Sequence, residues 1–394
     1  MLSKPADVPY CGVREDVIRK AKPKLRRHIV DRHYEWMRDR YRIYLKKDIE
    51  LLQAPWTDNP ILLNHKFTNT RREHDRQTKL IIKNVCLNDK LTLAEKVLNI
   101  IVFRMYNNWK VFDVLGGPWD MSQFTFMDID RMEFLMKRED KKCGGDAKFY
   151  TNAFNTGGLK KNIAMPTRLL HMTNIHQEIV KMTHTPTGKT EEMKYIDARN
   201  IAYYDEDYDI EDWLRYVPVR PLGVGKALAL EAKEFLYGVG MCETPKEVYE
   251  LITTIRSLSR FLAYQIFCDL TYCPDFKFSE NEFTVSGPGC SEGIDRMFED
   301  KDGMTDEECI FWLRDHQDKV YERYGYNRKT FWSNEAEHDQ CMNVQSLENS
   351  FCELGKYMKC LDAIAEGKAP RTRVNYNGRA PEPEVKKKVT KRLW

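Results

Sequence analysis

A mainly α-helical fold with a small β-hairpin insertion is what the sequence predicts, and three observations carry that expectation. Apolar residues recur at helical spacing through much of the chain. A capping box at Thr92 marks where one of those stretches begins. Hairpin turn chemistry stands out between Ile179 and Tyr195, around Pro186-Thr187-Gly188.

The first helix is expected from Leu25 to about Gln53. At about 100° per residue, Leu25, Ile29, Trp36 and Ile43 share one narrow face, while Arg27, Arg38 and Arg42 fall on the other. Ala54-Pro55-Trp56-Thr57 then ends it, because the residue before a proline avoids helical geometry, and Asp58-Asn59-Pro60 reads as a turn. Thr92-Leu93-Ala94-Glu95 has the spacing of a capping box. It opens a helix that turns Val97, Leu98, Ile101, Val102 and Met105 inward and runs to about Trp109. From Leu115 to about Asp146 the pattern is mixed, and the acidic run Tyr204–Asp212 reads as a solvated loop. Helices return at Leu228–Gly238, Pro245–Ile255, Arg260–Leu270, Thr305–Tyr324 and Val344–Ala365. The chain therefore divides into an N-terminal extension (1–24), a helical body (25–366) and a basic, disordered tail (367–394).

Composition sets limits on function. The 394 residues are 42% hydrophobic and 31% charged, as in an ordinary globular protein. Net charge is only +3, yet Arg26, Arg27, Arg32, Arg38, Arg40, Arg42, Lys46 and Lys47 crowd one stretch. Lys386, Lys387, Lys388, Lys391 and Arg392 crowd another. Basic blocks in a nearly neutral chain suit contact with a polyanion, although each block alone also fits a solvated helix face. No apolar run reaches the roughly 18 residues of a membrane span, and the N-terminus lacks the apolar core of a secretion signal. A cytoplasmic protein without a membrane partner is expected; the lysine-rich end leaves nuclear import open. Eleven scattered cysteines with no C-x-x-C pair read as reduced core thiols, and no set with zinc-like spacing stands out.

Gly188-Lys189-Thr190 imitates the end of a phosphate-binding P-loop, but Thr183 stands where that loop needs glycine. Leu222-Gly223-Val224-Gly225-Lys226-Ala227-Leu228-Ala229 has the form of a helix-hairpin-helix turn, whose glycines let backbone N–H groups reach a DNA phosphate. Ser286-Gly287-Pro288-Gly289-Cys290 is a rigid loop before an apparent helix at Glu292; it could present N–H groups to an anion or be a generic turn. Asp269 lies at a helix C-terminus, where the dipole disfavours a carboxylate, so it is either paired with an arginine or functional.

Several blocks, taken in order, resemble one family. They are Trp56-Thr57-Asp58 with Phe67-Thr68-Asn69, Arg72, Asp75 and Thr78; Phe103-Arg104 with Asn107; Phe261-Leu262-Ala263-Tyr264-Gln265 with Asp269-Leu270 and Tyr272; Gly287-Pro288-Gly289 with Gly293-Ile294; and Glu348-Asn349-Ser350-Phe351-Cys352-Glu353 with Lys356-Tyr357. Together they resemble the helical, DNA-glycosylase-like proteins of thymine hypermodification in bacteriophages, the alpha-glutamyl/putrescinyl-thymine pyrophosphorylases or amino acid:DNA transferases. A related helical domain accompanies the 5-hydroxymethyluracil DNA kinases. The resemblance spans about Arg26 to Lys368. Two departures stand out: Ser257 and Ser259 replace expected glycines, and Leu354-Gly355 replaces a usual Phe-Asp.

The resemblance implies a helix-hairpin-helix glycosylase-like fold and an amine-transfer reaction. An amino acid or polyamine displaces pyrophosphate from the 5-methylene of a modified uracil in DNA, after a separate DNA kinase has acted. The base must leave the stack to present that carbon. Arg71, Arg72, Arg76 and Arg104 are then expected to face the leaving group, and Asp75, Asp269 or Glu282 to take a proton from the ammonium. Arg72, Asp75, Asp269 and Glu282 are the catalytic candidates. Trp56, Asn69, Arg71, Arg76, Arg104, Asn107, Tyr264, Gln265, Gly287, Gly289 and Lys356 are candidates for holding DNA or substrate. Phe67 and Tyr264 read better as core, and Arg72 with Asp75 could be a structural i,i+3 pair. Mg²⁺ is the one cofactor the pyrophosphate could recruit. The rival expectations are a glycosylase acting on a modified pyrimidine and a noncatalytic DNA-binding module that partners a kinase.

Overall fold

A computed structural model describes residues 10–120, 236–253 and 260–370, with 135, 138, 139, 141 and 142. In chain order its helices are α1 (Glu15–Lys20), α2 (Arg27–Tyr44), α3 (Pro60–Asn64), α4 (Arg76–Ile81), α5 (Leu93–Tyr106), α6 (Trp109–Val114), α7 (Pro245–Thr253), α8 (Arg260–Leu270), α9 (Pro288–Met297), α10 (Asp306–Tyr321), α11 (Arg328–Phe331) and α12 (Val344–Ala365). Two short strands, β1 (Lys24–Leu25) and β2 (Phe298–Asp300), pair antiparallel. This β-ladder joins segments far apart in sequence. The hairpin expected between Ile179 and Tyr195, the turn at Leu222–Ala229 and the serines Ser257 and Ser259 lie outside the described residues.

Local chemistry accounts for the helix ends. The capping boxes at Thr92/Glu95 and Thr305/Glu308 are both closed, each threonine hydroxyl accepting the N3 amide and each glutamate accepting the cap amide. Asn343 caps α12 by accepting from the Ser346 amide. Asn107 ends α5 in the left-handed conformation, with φ +47°, so the stretch expected to reach Trp109 breaks there and restarts as α6. Likewise α2 stops short of Gln53, its last turn widening into a π-helix at Leu45–Ile49.

Chain packing divides the molecule at Lys79/Leu80 and at Lys277/Phe278 into two compact units. The first joins the described residues up to Lys79 to those from Phe278 onward. Residues 10–24, expected as an extension, belong to its fabric: Ile18 of α1 is buried, and Tyr10 and Val17 pack against the core. That core gathers Trp36 of α2, Ile294 and Met297 of α9, Phe311 and Leu313 of α10, Trp332, and Leu347 and Phe351 of α12. At its centre His33 is bonded to Tyr321 Oη at 2.6 Å and Ser350 Oγ at 3.1 Å, and burial pushes it down to about 3, so it stays neutral. The α9–α12 contact is close because Gly293 has no side chain; a Cβ there would sit 1.9 Å from the Phe351 carbonyl oxygen. In the second unit α5 packs with α6 and α8, and α7 packs with α8, burying Val97, Leu98, Ile101, Phe103, Phe112, Val248, Ile266 and Phe267.

Candidate functional site

The first unit contains a polar centre where three sequence blocks meet. Asp75, just after the short 3₁₀ turn Arg72–His74, accepts from the Asn69 amide at 3.1 Å and from Asn69 Nδ2 at 3.0 Å, both on Oδ1. Burial raises its carboxyl above the usual range, against the pull of Asn69, Arg40 and Arg72. From α12, Glu353 accepts the Thr68 amide at 3.1 Å and Lys356 Nζ at 3.0 Å, while Asn349 Nδ2 donates to Thr68 Oγ1 at 2.8 Å. Lys356 also lies 4.1 Å over the Phe67 ring. One turn before Glu353, Glu348 accepts the Gly287 amide at the start of α9, and desolvation pushes its carboxyl up to about 7 against the favourable charge of Arg72. Asp75, Glu348 and Glu353 thus face the cations Arg40, Arg72 and Lys356. Two of those carboxyls bind protons more tightly than free ones.

A second polar centre belongs to the other unit. Arg104 of α5 grips Asp269 of α8 with both arms of its guanidinium, Nη2 to Oδ1 at 2.6 Å and Nε to Oδ2, and its Nη1 donates to Asn107 Oδ1 at 2.7 Å. Asp269 is wholly buried and Arg104 nearly so. Of the two readings open for Asp269, pairing with an arginine is the one the structure shows. Tyr264 and Gln265 are buried on the same helix, and Tyr264 stacks toward Phe267 at 6.4 Å between centroids.

The remaining candidates scatter. Arg71 is 1% exposed and engages Glu73, Asp339 Oδ1 at 3.3 Å and the carbonyls of Asp339 and Cys341, so that it braces the Asp339–Cys341 turn. Arg104 is likewise engaged, with Asp269. Arg76 is exposed at the start of α4. Glu282 accepts the Ser279 amide at 2.8 Å in a loop; the loop's strongly perturbed acid is Glu280, which desolvation, with Glu73 and Asp339 adding to it and Arg71 opposing, pushes up to about 7. Trp56 Nε1 donates to the Leu52 carbonyl at 2.8 Å, and Lys47 sits 5.4 Å over its ring. In the Gly287-Pro288-Gly289 loop, the Gly287 amide serves Glu348, and Gly289 makes room for Cys352, whose Sγ would lie 2.6 Å from an added Cβ. Phe67 is core, as expected. Among the described residues, no group of three or more His, Cys, Asp or Glu side chains is placed to hold a metal ion, and no helix is long and apolar enough to cross a membrane.

Two members of the first centre escaped the sequence. Glu348 sits in a recognised block, but nothing local signals that the tip of α9 closes over it. Arg40 looked like one more basic residue of α2, although Ile29, His33, Trp36, Arg40 and Ile43 follow the spacing of an inward stripe.

The raised Glu348 and Glu280 carboxyls have a consequence for stability. An acid that binds its proton more tightly when folded stabilises the fold below its unfolded value near 4.5 and loses that contribution as pH rises through about 7. Unfolding midpoints measured between pH 5 and 8 should therefore fall toward the alkaline side. Glu348→Gln should flatten part of that slope and leave the part due to Glu280. An unchanged slope in the variant would place the Glu348 carboxyl at an ordinary acidity.

No solved structure matches the chain. A 5-hmdU DNA kinase of Bacillus phage SP10 is 22% identical over 384 residues, covering 94% of this chain and 52% of the relative, so the chain spans about half that protein's length. The family model described as "5-hmdU DNA kinase, helical domain" matches residues 27–366, which takes in every block on which both polar centres are built. With most of its length matched, the chain belongs to the 5-hmdU DNA kinase helical-domain family.

Proposed function

We propose that this protein acts on a thymine-derived base in DNA and transfers an amine to its 5-methylene carbon, displacing pyrophosphate. The observation that carries the reading is the first unit's centre, where Arg72 lies within the electrostatic reach of two proton-retaining carboxyls, Asp75 and Glu348. In the reaction, the amine nitrogen forms a bond to the methylene carbon as the carbon–oxygen bond to pyrophosphate breaks. The amine's surplus proton passes to a carboxylate, and the bond electrons leave with the pyrophosphate. An acceptor poised near pH 7 suits that proton transfer, and a guanidinium suits the leaving group's charge. DNA carrying 5-hydroxymethyluracil, a 5-hmdU DNA kinase and an amine donor are the partners implied.

Nucleoside mass spectrometry tests the proposal directly. DNA containing 5-hydroxymethyluracil is treated with such a kinase, ATP, this protein and a pool of amino acids and polyamines. A thymidine adduct dependent on both proteins is expected. Arg72→Ala should slow its formation by about 10²–10³-fold and Glu348→Gln by about 10²-fold or more.

A second reading, a DNA-binding helical module that works with a kinase and does no chemistry, draws support from the family being defined on one domain of a kinase. DNA bound but unchanged across the whole amine pool would favour it. Released base with abasic sites would indicate a glycosylase, a reading weakened by the engagement of Asp269 with Arg104.

A further inference from the structure

We propose that Arg40 of α2 is an oxyanion-binding residue of the first unit's polar centre, and that its ligand is a diphosphate group. Its side chain belongs to the inward stripe of the helix and is only 8% exposed. Nε and Nη1 are both buried, and neither donates to any group. Asp75, Glu353 and Asp48 act on Arg40 through their charge, yet none accepts from these two atoms. Native interiors rarely leave guanidinium N–H groups unmet, since each buried donor without an acceptor forfeits its hydration. Asn69 and Thr70, adjacent in the chain, share the condition. Asn69, which donates to Asp75, has a buried Oδ1 with no donor, and the next residue, Thr70, has a wholly buried hydroxyl with no partner. Two guanidinium donors of Arg40, whose charge acts on Asp75, and the amide oxygen of Asn69 are thus unmet, as is the hydroxyl of the residue that follows Asn69.

The ligand class follows from the donors. A guanidinium fork fits the paired oxygens of phosphate and carboxylate groups. Arg72 brings a second guanidinium to the Asp75 carboxylate, and two forks match the charge of a diphosphate better than that of a monocarboxylate. The tendency of Asp75 and Glu348 to keep their protons lessens the negative charge that would oppose it. The inference rests on the proposed reaction for its source of diphosphate, the pyrophosphate leaving the base.

Calorimetric titration of the full chain with inorganic pyrophosphate, without DNA or amine, tests it apart from the reaction. Parallel titrations use inorganic phosphate and glycine. Wild type is expected to bind pyrophosphate more tightly than either. Arg40→Met should weaken pyrophosphate binding by about tenfold or more, and Arg40→Lys, which restores charge without the fork, should recover only part of it. If Arg40→Met does not fold, Arg40→Lys and the rise in unfolding midpoint that pyrophosphate gives wild type carry the same comparison. Absence of pyrophosphate binding, equal binding by wild type and the variants, or a preference for glycine lost in the variants would each overturn the assignment. Arg40-dependent pyrophosphate binding without any adduct on DNA would leave this inference standing and remove the transferase. An adduct formed by a protein whose pyrophosphate binding ignores Arg40 would do the reverse.

Discussion

Asp269→Ala is expected to destabilise the second unit by about 3–5 kcal/mol, because it strands a buried cation. Arg104 would keep its bond to Asn107 Oδ1 but would lose two charge-assisted bonds at a place where water does not reach. The cost comes from the unpaired partner more than from the pair itself. Replacing both together, Arg104→Met with Asp269→Leu, should therefore recover much of the loss. Thermal unfolding followed by circular dichroism reads all four corners of the cycle. A single variant within about 1 kcal/mol of wild type would mean that Arg104 finds other solvation, and the pair would then lose its structural role. If the apolar double variant also forms the DNA adduct, Asp269 serves the fold and the proton acceptor lies elsewhere.

Gly293→Ala should be at least as damaging to the first unit. The added methyl would meet the Phe351 carbonyl oxygen at 1.9 Å and its carbon at 2.6 Å, and both belong to the backbone of α12, which has no rotamer to yield. Helices α9 and α12 would have to separate, opening the layer of Ile294, Leu347 and Phe351. A loss of about 4 kcal/mol or more, or failure to fold, is the expected result. Two neighbouring glycines calibrate it. Gly289→Ala meets the Cys352 thiol at 2.6 Å, a side chain that can rotate, and should cost less. Gly355→Ala finds ordinary contacts at 3.5 Å and should be mild. Midpoints in denaturant that fail to follow the order 293, 289, 355 would contradict the packing of these two helices.

Much of the fold was legible because its signals are local. A threonine three residues before a glutamate marked the start of α5, and the helical stretches read for α8 and α12 have the bounds observed. What escaped depends on distant residues. No pattern near Lys24 announces pairing with Asp300, and none near Lys79 announces that the chain leaves one unit and returns to it at Phe278. In the candidate site, Arg72 and Asp75 were legible because their block mixes charge with aromatics. The hold of Asn69 on Asp75, through its amide and its side chain, was not legible there. Glu348 became visible only when the α9 tip donated its amide. The partners of Arg71 and Arg104 were equally hidden, since a charged residue in such a block can also hold the block together.

The division of the first unit between the two ends of the chain governs how the protein is made. His33 and Trp36 emerge from the ribosome early, yet Tyr321, Ser350 and Phe351, which enclose them, lie beyond an intervening stretch of roughly 200 residues. At ~5–20 residues per second that interval lasts on the order of 10–40 s. During it the inward stripe of α2 has no lasting cover, and by its end all the residues that build the Arg104–Asp269 centre have been made, before α12. The inserted unit can thus complete itself first, and the site carrying Asp75 and Glu348 closes last, when α12 arrives.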